Sequence, residues 1–381
     1  MATVAVRFGA GQLVAATRGA VAEVARPAPI APADPRALCE AALDAPIGAP
    51  RLEDQVAGGA RVLLIVSDAT RDEPRAALVA AVRGRLPRDV RLTIAIATGT
   101  HGRAGGLAAL GLADDGAAVL DHDGHDPRDL VTVGTTTRGT PVEVHRAVVE
   151  AELVIATGVI RAHYFAGFGA GAKAIFPGLA SARAARVNHL LKAAPGSVAG
   201  AIDDNPCRLD LEEAAALAAP RAFLLDGVAD RHDQVRAAVA GDLRTAFRAG
   251  AAVAGRWLTA VAAPSRCVVV ADRPPVTRSL YQASKGLAAV APWVAPGGRV
   301  VLVAPCEDGL GPIDVVNRGI YELGIRPRLP ADHEVCLVSN LTAAEVSASY
   351  ARAAPSLTAA LADVDEVLVV HGASKLIARL S

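Results

Sequence analysis

The sequence predicts an α/β protein: two Rossmann-like α/β domains with parallel-rich sheets, and an active site in the inter-domain cleft. Three observations carry that prediction. The 381-residue chain is 52% hydrophobic but only 3% aromatic, so its cores are built from Ala, Val and Leu. Such cores suit parallel strands buried on both faces. Short β-branched runs alternate with stretches of helical length, as βαβ units require. Several of those runs end in loops bearing polar clusters, which is where open α/β sheets bind ligands.

The elements follow in order. Residues 27–50, rich in Pro and Ala, read as a surface excursion with a short helix inside. Residues 61–67 (RVLLIVS) read as a buried strand that delivers the loop from Asp68 through Arg71 to Pro74. A helix over 75–86 leads to a second strand over 91–97, which ends at Thr98, His101 and Arg103. Residues 131–144 alternate around Arg138, Gly139 and Thr140, the pattern of a hairpin. A third strand over 153–157 delivers Arg161 and His163, and a helix over 181–191 carries His189. The pattern restarts near residue 262, with a strand over 267–271, a helix over 279–290 and strands over 299–304 and 366–371. The domains are therefore expected at 1–262 and 263–381, with the last residues free to return to the first.

Charge and cysteine usage remove several function classes. Lys plus Arg equals Asp plus Glu at 39 each, with no basic run interleaved with aromatics, so no nucleic-acid partner is expected. The five cysteines are scattered without a C-x-x-C pair, which predicts buried reduced thiols rather than disulfides or a zinc ribbon. No uncharged apolar run reaches the roughly 18 residues that span a bilayer, and the first residues lack a secretory pattern. A cytoplasmic protein without a membrane partner is expected.

Residues 158–189, GVIRAHYFAGFGAGAKAIFPGLASARAARVNH, stand out. Lysine is scarce, occurring only at 173, 192, 285 and 375. A lysine inside a Gly/Ala-rich segment therefore points to an amine nucleophile or covalent anchor, a role guanidinium cannot fill. The glycines at 167, 169, 171 and 178 form neither a dinucleotide fingerprint nor a Walker loop. They suit either close backbone approach to some other phosphate or planar cofactor, or tight packing of helix on sheet.

His101, His163 and His189 each close a Gly-flanked or strand-end segment, whereas His122, His125, His145, His232 and His333 read as solvated or hydrogen-bonded surface residues. No recognised zinc spacing joins the first three. One as a soft-metal ligand and two as acid/base groups fits equally well, because neutral imidazole ligates nickel, copper or zinc and also transfers protons near neutrality. Asp68 and Arg71 could be a helix cap and a surface charge, or, with Arg161 and Lys285, a grip for a carboxylate. The acidic residues at 203–213 read as a solvated helix start.

The motifs SDATRDEP, ATGTH, GVIRAHYFAGFGAGAKAIFPG, NH and YQASK occur in order over both expected domains. Together they resemble the lactate racemase family, nickel-pincer-nucleotide enzymes that racemise or epimerise 2-hydroxy acids. The resemblance implies that Lys173 attaches the pyridinium-derived cofactor and His189 ligates its nickel. It implies catalytic acid/base roles for His101 and His163, one on each side of the substrate. Asp68 supports the site, and Gly167, Gly169 and Gly171 bring backbone amides near the cofactor. Arg71, Tyr281, Gln282 and Lys285 match positions that hold the substrate. The implied chemistry is hydride removal from C2 and its return to the opposite face of a planar 2-keto acid. The implied partners are a small 2-hydroxy acid and the cofactor-making enzymes. A zinc hydrolase built on His101, His163 and His189, and a non-catalytic cofactor- or anion-binding protein, are the alternatives.

Overall fold

The computed structural model describes residues 2–25, 30–114 and 116–381. The chain forms two compact units, one from residues 30–161 and 166–257, the other from residues 2–25, 162–165 and 258–381. The chain passes from one unit to the other near residue 258, and the N-terminal residues belong with the C-terminal unit. The cause is backbone pairing: Ala20–Glu23 adds as a parallel strand beside Glu366–His371. The hairpin of Ala2–Phe8 and Gly11–Thr17 also buries Val4, Val6 and Ala15 against Val269, Val301 and Val367. The last strand, Ile377–Leu380, pairs with Thr259–Ala262 and so stays in the same unit.

The larger unit is built on a six-stranded sheet. Its order is Val235–Asp242, Ala222–Ala229, Leu153–Ile160, Arg61–Ser67, Arg91–Ala97 and Ala118–Asp121. All neighbours are parallel except the antiparallel Val235–Asp242 edge. All eight residues of Leu153–Ile160 are buried, as expected for a central parallel strand covered on both faces. Each fully buried Leu, Ile or Val here contributes roughly 1.5–3 kcal/mol of transfer free energy. Chain order reverses between Leu153–Ile160 and Arg61–Ser67, so this pair marks the topological switch point of the sheet.

The smaller unit has its own parallel sheet, ordered Arg352–Ala353, Glu334–Val338, Val294–Val303, Ser265–Ala271, Glu366–His371 and Ala20–Glu23. The Leu280–Val290 helix follows Ser265–Ala271 in sequence and buries Leu280, Leu287 and Val290 in one apolar cluster with Val268 and Val270. All five cysteines are buried and free. Among the described residues no helix is long and apolar enough to cross a membrane.

Candidate active site

The larger unit holds most of the candidate residues, and three strands of its sheet lead into the loops bearing Asp68, His101 and Arg161. Asp68, 6% exposed, follows Arg61–Ser67 directly. Its Oδ1 accepts from Thr70 N at 3.0 Å, and its Oδ2 lies 2.8 Å from Nδ1 of His101. Burial works against ionising this carboxyl. Hydrogen bonds from His101 and Thr70, aided by the Arg71 charge, prevail and hold it below the usual carboxylate range. A carboxylate on Nδ1 makes that nitrogen the donor and leaves the Nε2 lone pair on the outer side of the ring. The His101 side chain is 47% exposed, so that lone pair is accessible to a substrate. Arg75 braces the loop by donating to the carbonyls of Ser67, Asp68 and Arg71.

The loop bearing His101 is stitched to the segment that follows Lys173. Gly99 N donates to Gly178 O at 2.9 Å, and Thr98 Oγ1 donates to His122 O at 2.8 Å. The Nε2 of His122 in turn lies 3.0 Å from Ala180 O. His122 is 1% exposed, so its expected place at the surface is corrected. Burial and a hydrogen bond to a backbone carbonyl make it a structural residue.

Lys173 sits in a single tight turn, Gly171–Ala174. Atoms crowd its ammonium although part of its surface stays open. That desolvation, reinforced by the charges of Arg208 and Arg71, lowers the amine to about 8. His189 lies in the last turn of the Ala182–Leu190 helix. Its imidazole is pushed down to about 3, by desolvation first and then by the charges of Lys173 and Lys192. It is therefore neutral at physiological pH, the form that ligates a metal. The adjacent Asn188 is fully buried and donates from Nδ2 to Asp210 Oδ2 at 2.8 Å and to Cys207 O at 3.2 Å. Asp210 also accepts from Thr136 Oγ1 and is itself fully buried, which corrects the expectation of a solvated acidic helix start at this residue, while Asp203 and Asp204 are exposed as expected.

The glycines turn out to serve the backbone. The N–H of Gly169 is taken by Arg161 O at 2.8 Å and that of Gly171 by Asp226 Oδ2 at 2.9 Å, so neither amide is left for a cofactor. Gly167 has φ +72°, and a Cβ there would lie 1.8 Å from Ala201 O. Ala170 has φ +62° and ψ −164°, a region almost reserved for glycine, which costs about 1–3 kcal/mol. Arg161 ion-pairs with Asp233 at 3.0 Å and Glu73 at 3.8 Å, and it also donates to Asp72 O, so it braces the site rather than gripping a ligand. Arg71 is exposed.

The smaller unit holds the other candidates. His163 stacks on Tyr164 at 5.6 Å and meets Phe165 edge-on at 4.6 Å. Arg328 donates to Tyr164 O at 2.6 Å, anchoring the backbone next to the imidazole. Tyr281, Gln282 and Lys285 lie in the first turns of Leu280–Val290, whose N-cap is Ser279. Lys285 Nζ donates to Gln282 Oε1 and lies 5.9 Å from the Tyr281 ring, which makes these three one polar cluster.

Sequence reasoning missed Arg208, Asp226 and Arg328. Only Asp226 left a signal, as a lone acid in the otherwise apolar strand Ala222–Ala229.

The described residues include no group of three or more His, Cys, Asp or Glu able to hold a metal by themselves. A metal supplied with most of its own ligands needs only one protein donor. A neutral imidazole beside a depressed amine fits that requirement.

A family model for the lactate racemase N-terminal domain matches residues 11–200. The chain belongs to the lactate racemase family. It is 29% identical over 339 residues to a lactate racemase of Thermoanaerobacterium thermosaccharolyticum, covering 80% of this chain and 79% of that protein. It is also 29% identical over 284 residues to a lactate racemase of Lactiplantibacillus plantarum, covering 71% and 66%. The solved lactate racemase apoprotein from T. thermosaccharolyticum superposes with a TM-score of 0.87 at 25% identity, over 99% of this chain and 100% of that one. A protein from Thermotoga maritima shares the fold, with a TM-score of 0.69 at 17% identity over 91% and 98%. These relatives mark the protein as an isomerase.

Proposed function

We propose that this isomerase inverts C2 of a 2-hydroxy acid, using a nickel-pincer nucleotide on Lys173 with His189 as the protein ligand to nickel. One observation carries the reading: a single unit combines an Asp68-oriented His101, a desolvated amine at Lys173 and a neutral imidazole at His189. That is the donor set a covalently held, metal-bearing cofactor needs beside an acid/base group. When bound, the nucleotide supplies a hydride acceptor and donor.

The chain supplies the rest. Asp68 holds His101 as the Nδ1–H tautomer, and Nε2 takes the hydroxyl proton of one enantiomer. His163 does the same for the other enantiomer, which is why a racemase needs two bases. Arg71 and Lys285 hold the carboxylate while the planar keto acid reorients, with Tyr281 and Gln282 completing the grip. No observation favours a zinc hydrolase, since the described residues contain no three-donor group.

Isotopic labelling tests the reading. Enzyme co-expressed with the cofactor-making enzymes, given nickel and a 2-deuterated hydroxy acid, should return the opposite enantiomer with deuterium retained at C2. Washout of the label into water would mean proton abstraction at carbon and would overturn hydride transfer.

A further inference from the structure

The loop leading to Lys173 is held from behind by one buried arginine. Arg208 is fully buried in the Pro206–Ala218 helix, where Asn205 caps its backbone N–H at 3.0 Å. Its Nη1 donates to Phe168 O at 3.2 Å and to Ala170 O at 3.5 Å, and its Nε donates to Glu212 Oε1 at 2.8 Å. The guanidinium lies 3.6 Å over the Phe247 ring. Nη2 is buried without a hydrogen-bond partner among the described residues. Burying a guanidinium is costly, and an unsatisfied donor adds to the cost. A gain in stability does not account for its place in the fold.

The loop it grips does account for it. Ala170 is held in a backbone conformation that favours glycine, and such strain survives only where the surroundings enforce it. The next residue has no room for a side chain: a Cβ on Gly171 would lie 2.5 Å from Phe247 and 2.8 Å from Nη2 of Arg208. Lys173 N hydrogen-bonds Ala170 O at 3.3 Å, so the turn bearing the lysine begins at a carbonyl that Arg208 holds.

We propose that Arg208 is the positioning residue for Lys173, clamping the carbonyls of Phe168 and Ala170 so that the strained turn presents the lysine side chain to its cofactor. The cofactor half of this statement rests on the function proposed above; the clamp does not.

The test uses full-length wild type, Arg208→Lys, Arg208→Met and the double variant Arg208→Met with Ala170→Gly. Each is made with the cofactor-making enzymes and nickel, and again without them. Melting curves establish folding, and intact mass gives the fraction carrying an adduct. In the cofactor-free protein, acetylation of Lys173 by an N-hydroxysuccinimide ester is followed by peptide mass, with Lys192, Lys285 and Lys375 as internal controls. Arg208→Met should fold, lose about tenfold in adduct, a change of about 1.4 kcal/mol, and alter the acetylation rate of Lys173 alone. Ala170→Gly should recover part of the adduct and move the acetylation rate back towards wild type, because glycine adopts the turn without the clamp. A merely structural arginine would not show that rescue. Arg208→Met that loads and acetylates like wild type overturns the proposal. If Arg208→Met does not fold, Arg208→Lys and Phe247→Leu carry the same measurements. If wild type itself carries no adduct, the functional reading fails while the acetylation rates still decide the clamp.

Discussion

Replacing Asp226 by Asn should remove a large pH-dependent penalty on the fold. Asp226 is fully buried in the Ala222–Ala229 strand, with Oδ2 on the N–H of Gly171 and Oδ1 unpartnered. Desolvation pushes its carboxyl up to about 8; the Gly171 hydrogen bond and Arg208 pull it down, and Glu73 pushes it further up. The native protein therefore keeps a proton that the unfolded chain, with a carboxyl near about 3.9, releases. This carboxyl's contribution to stability falls as pH rises from about 4 to about 8 and is constant above that. Between pH 5 and 7 the loss amounts to about 2 pH units at 1.36 kcal/mol each, a ceiling of about 3 kcal/mol. That is a sizeable share of the 5–15 kcal/mol typical of a domain. Asn keeps an oxygen for Gly171 and has no proton to lose. Scanning calorimetry at pH 5, 6, 7 and 8 should show the melting point of Asp226→Asn gaining on wild type at each step. A difference that stays constant across that range would refute the buried, protonated carboxyl.

Two further outcomes follow from the site. Asp68→Asn should leave the fold and any Lys173 adduct intact but cut kcat by at least about a hundredfold, because an amide oxygen no longer selects the His101 tautomer as a carboxylate does; steady-state kinetics in both directions, on loaded enzyme, check it. Ala170→Gly alone should raise the melting point by about 2–4 °C, the effect of relieving about 1 kcal/mol of backbone strain in a unit of this size, measured by the same calorimetry.

The strands Arg61–Ser67, Arg91–Ala97 and Glu366–His371 were legible to the residue, because strands buried on both faces leave continuous β-branched runs. The N-terminal segment was not. Its membership of the C-terminal unit depends on Ala20–Glu23 pairing with Glu366–His371, a contact between opposite ends of the chain that no local pattern encodes. Lys173 stood out because lysine is scarce in this chain and His189 because it closes the Gly-rich segment, and the structure shows both in desolvated positions. Arg208 and Asp210 did not stand out, since charged residues in a helix read as solvent-facing until the partners that bury them are known. The glycines were half legible. Their place at a close backbone approach was readable, but the amides of Gly169 and Gly171 are occupied by Arg161 and Asp226.

The central claim is that Lys173 carries the cofactor and His189 binds its metal. Intact denatured mass and metal analysis, on wild type, Lys173→Ala and His189→Ala co-expressed with the cofactor-making enzymes and nickel, test it most directly. The account predicts a mass adduct with nickel in wild type, no adduct in Lys173→Ala, and an adduct depleted of nickel in His189→Ala. Wild type without adduct or nickel, under conditions that load a known family member, would contradict it.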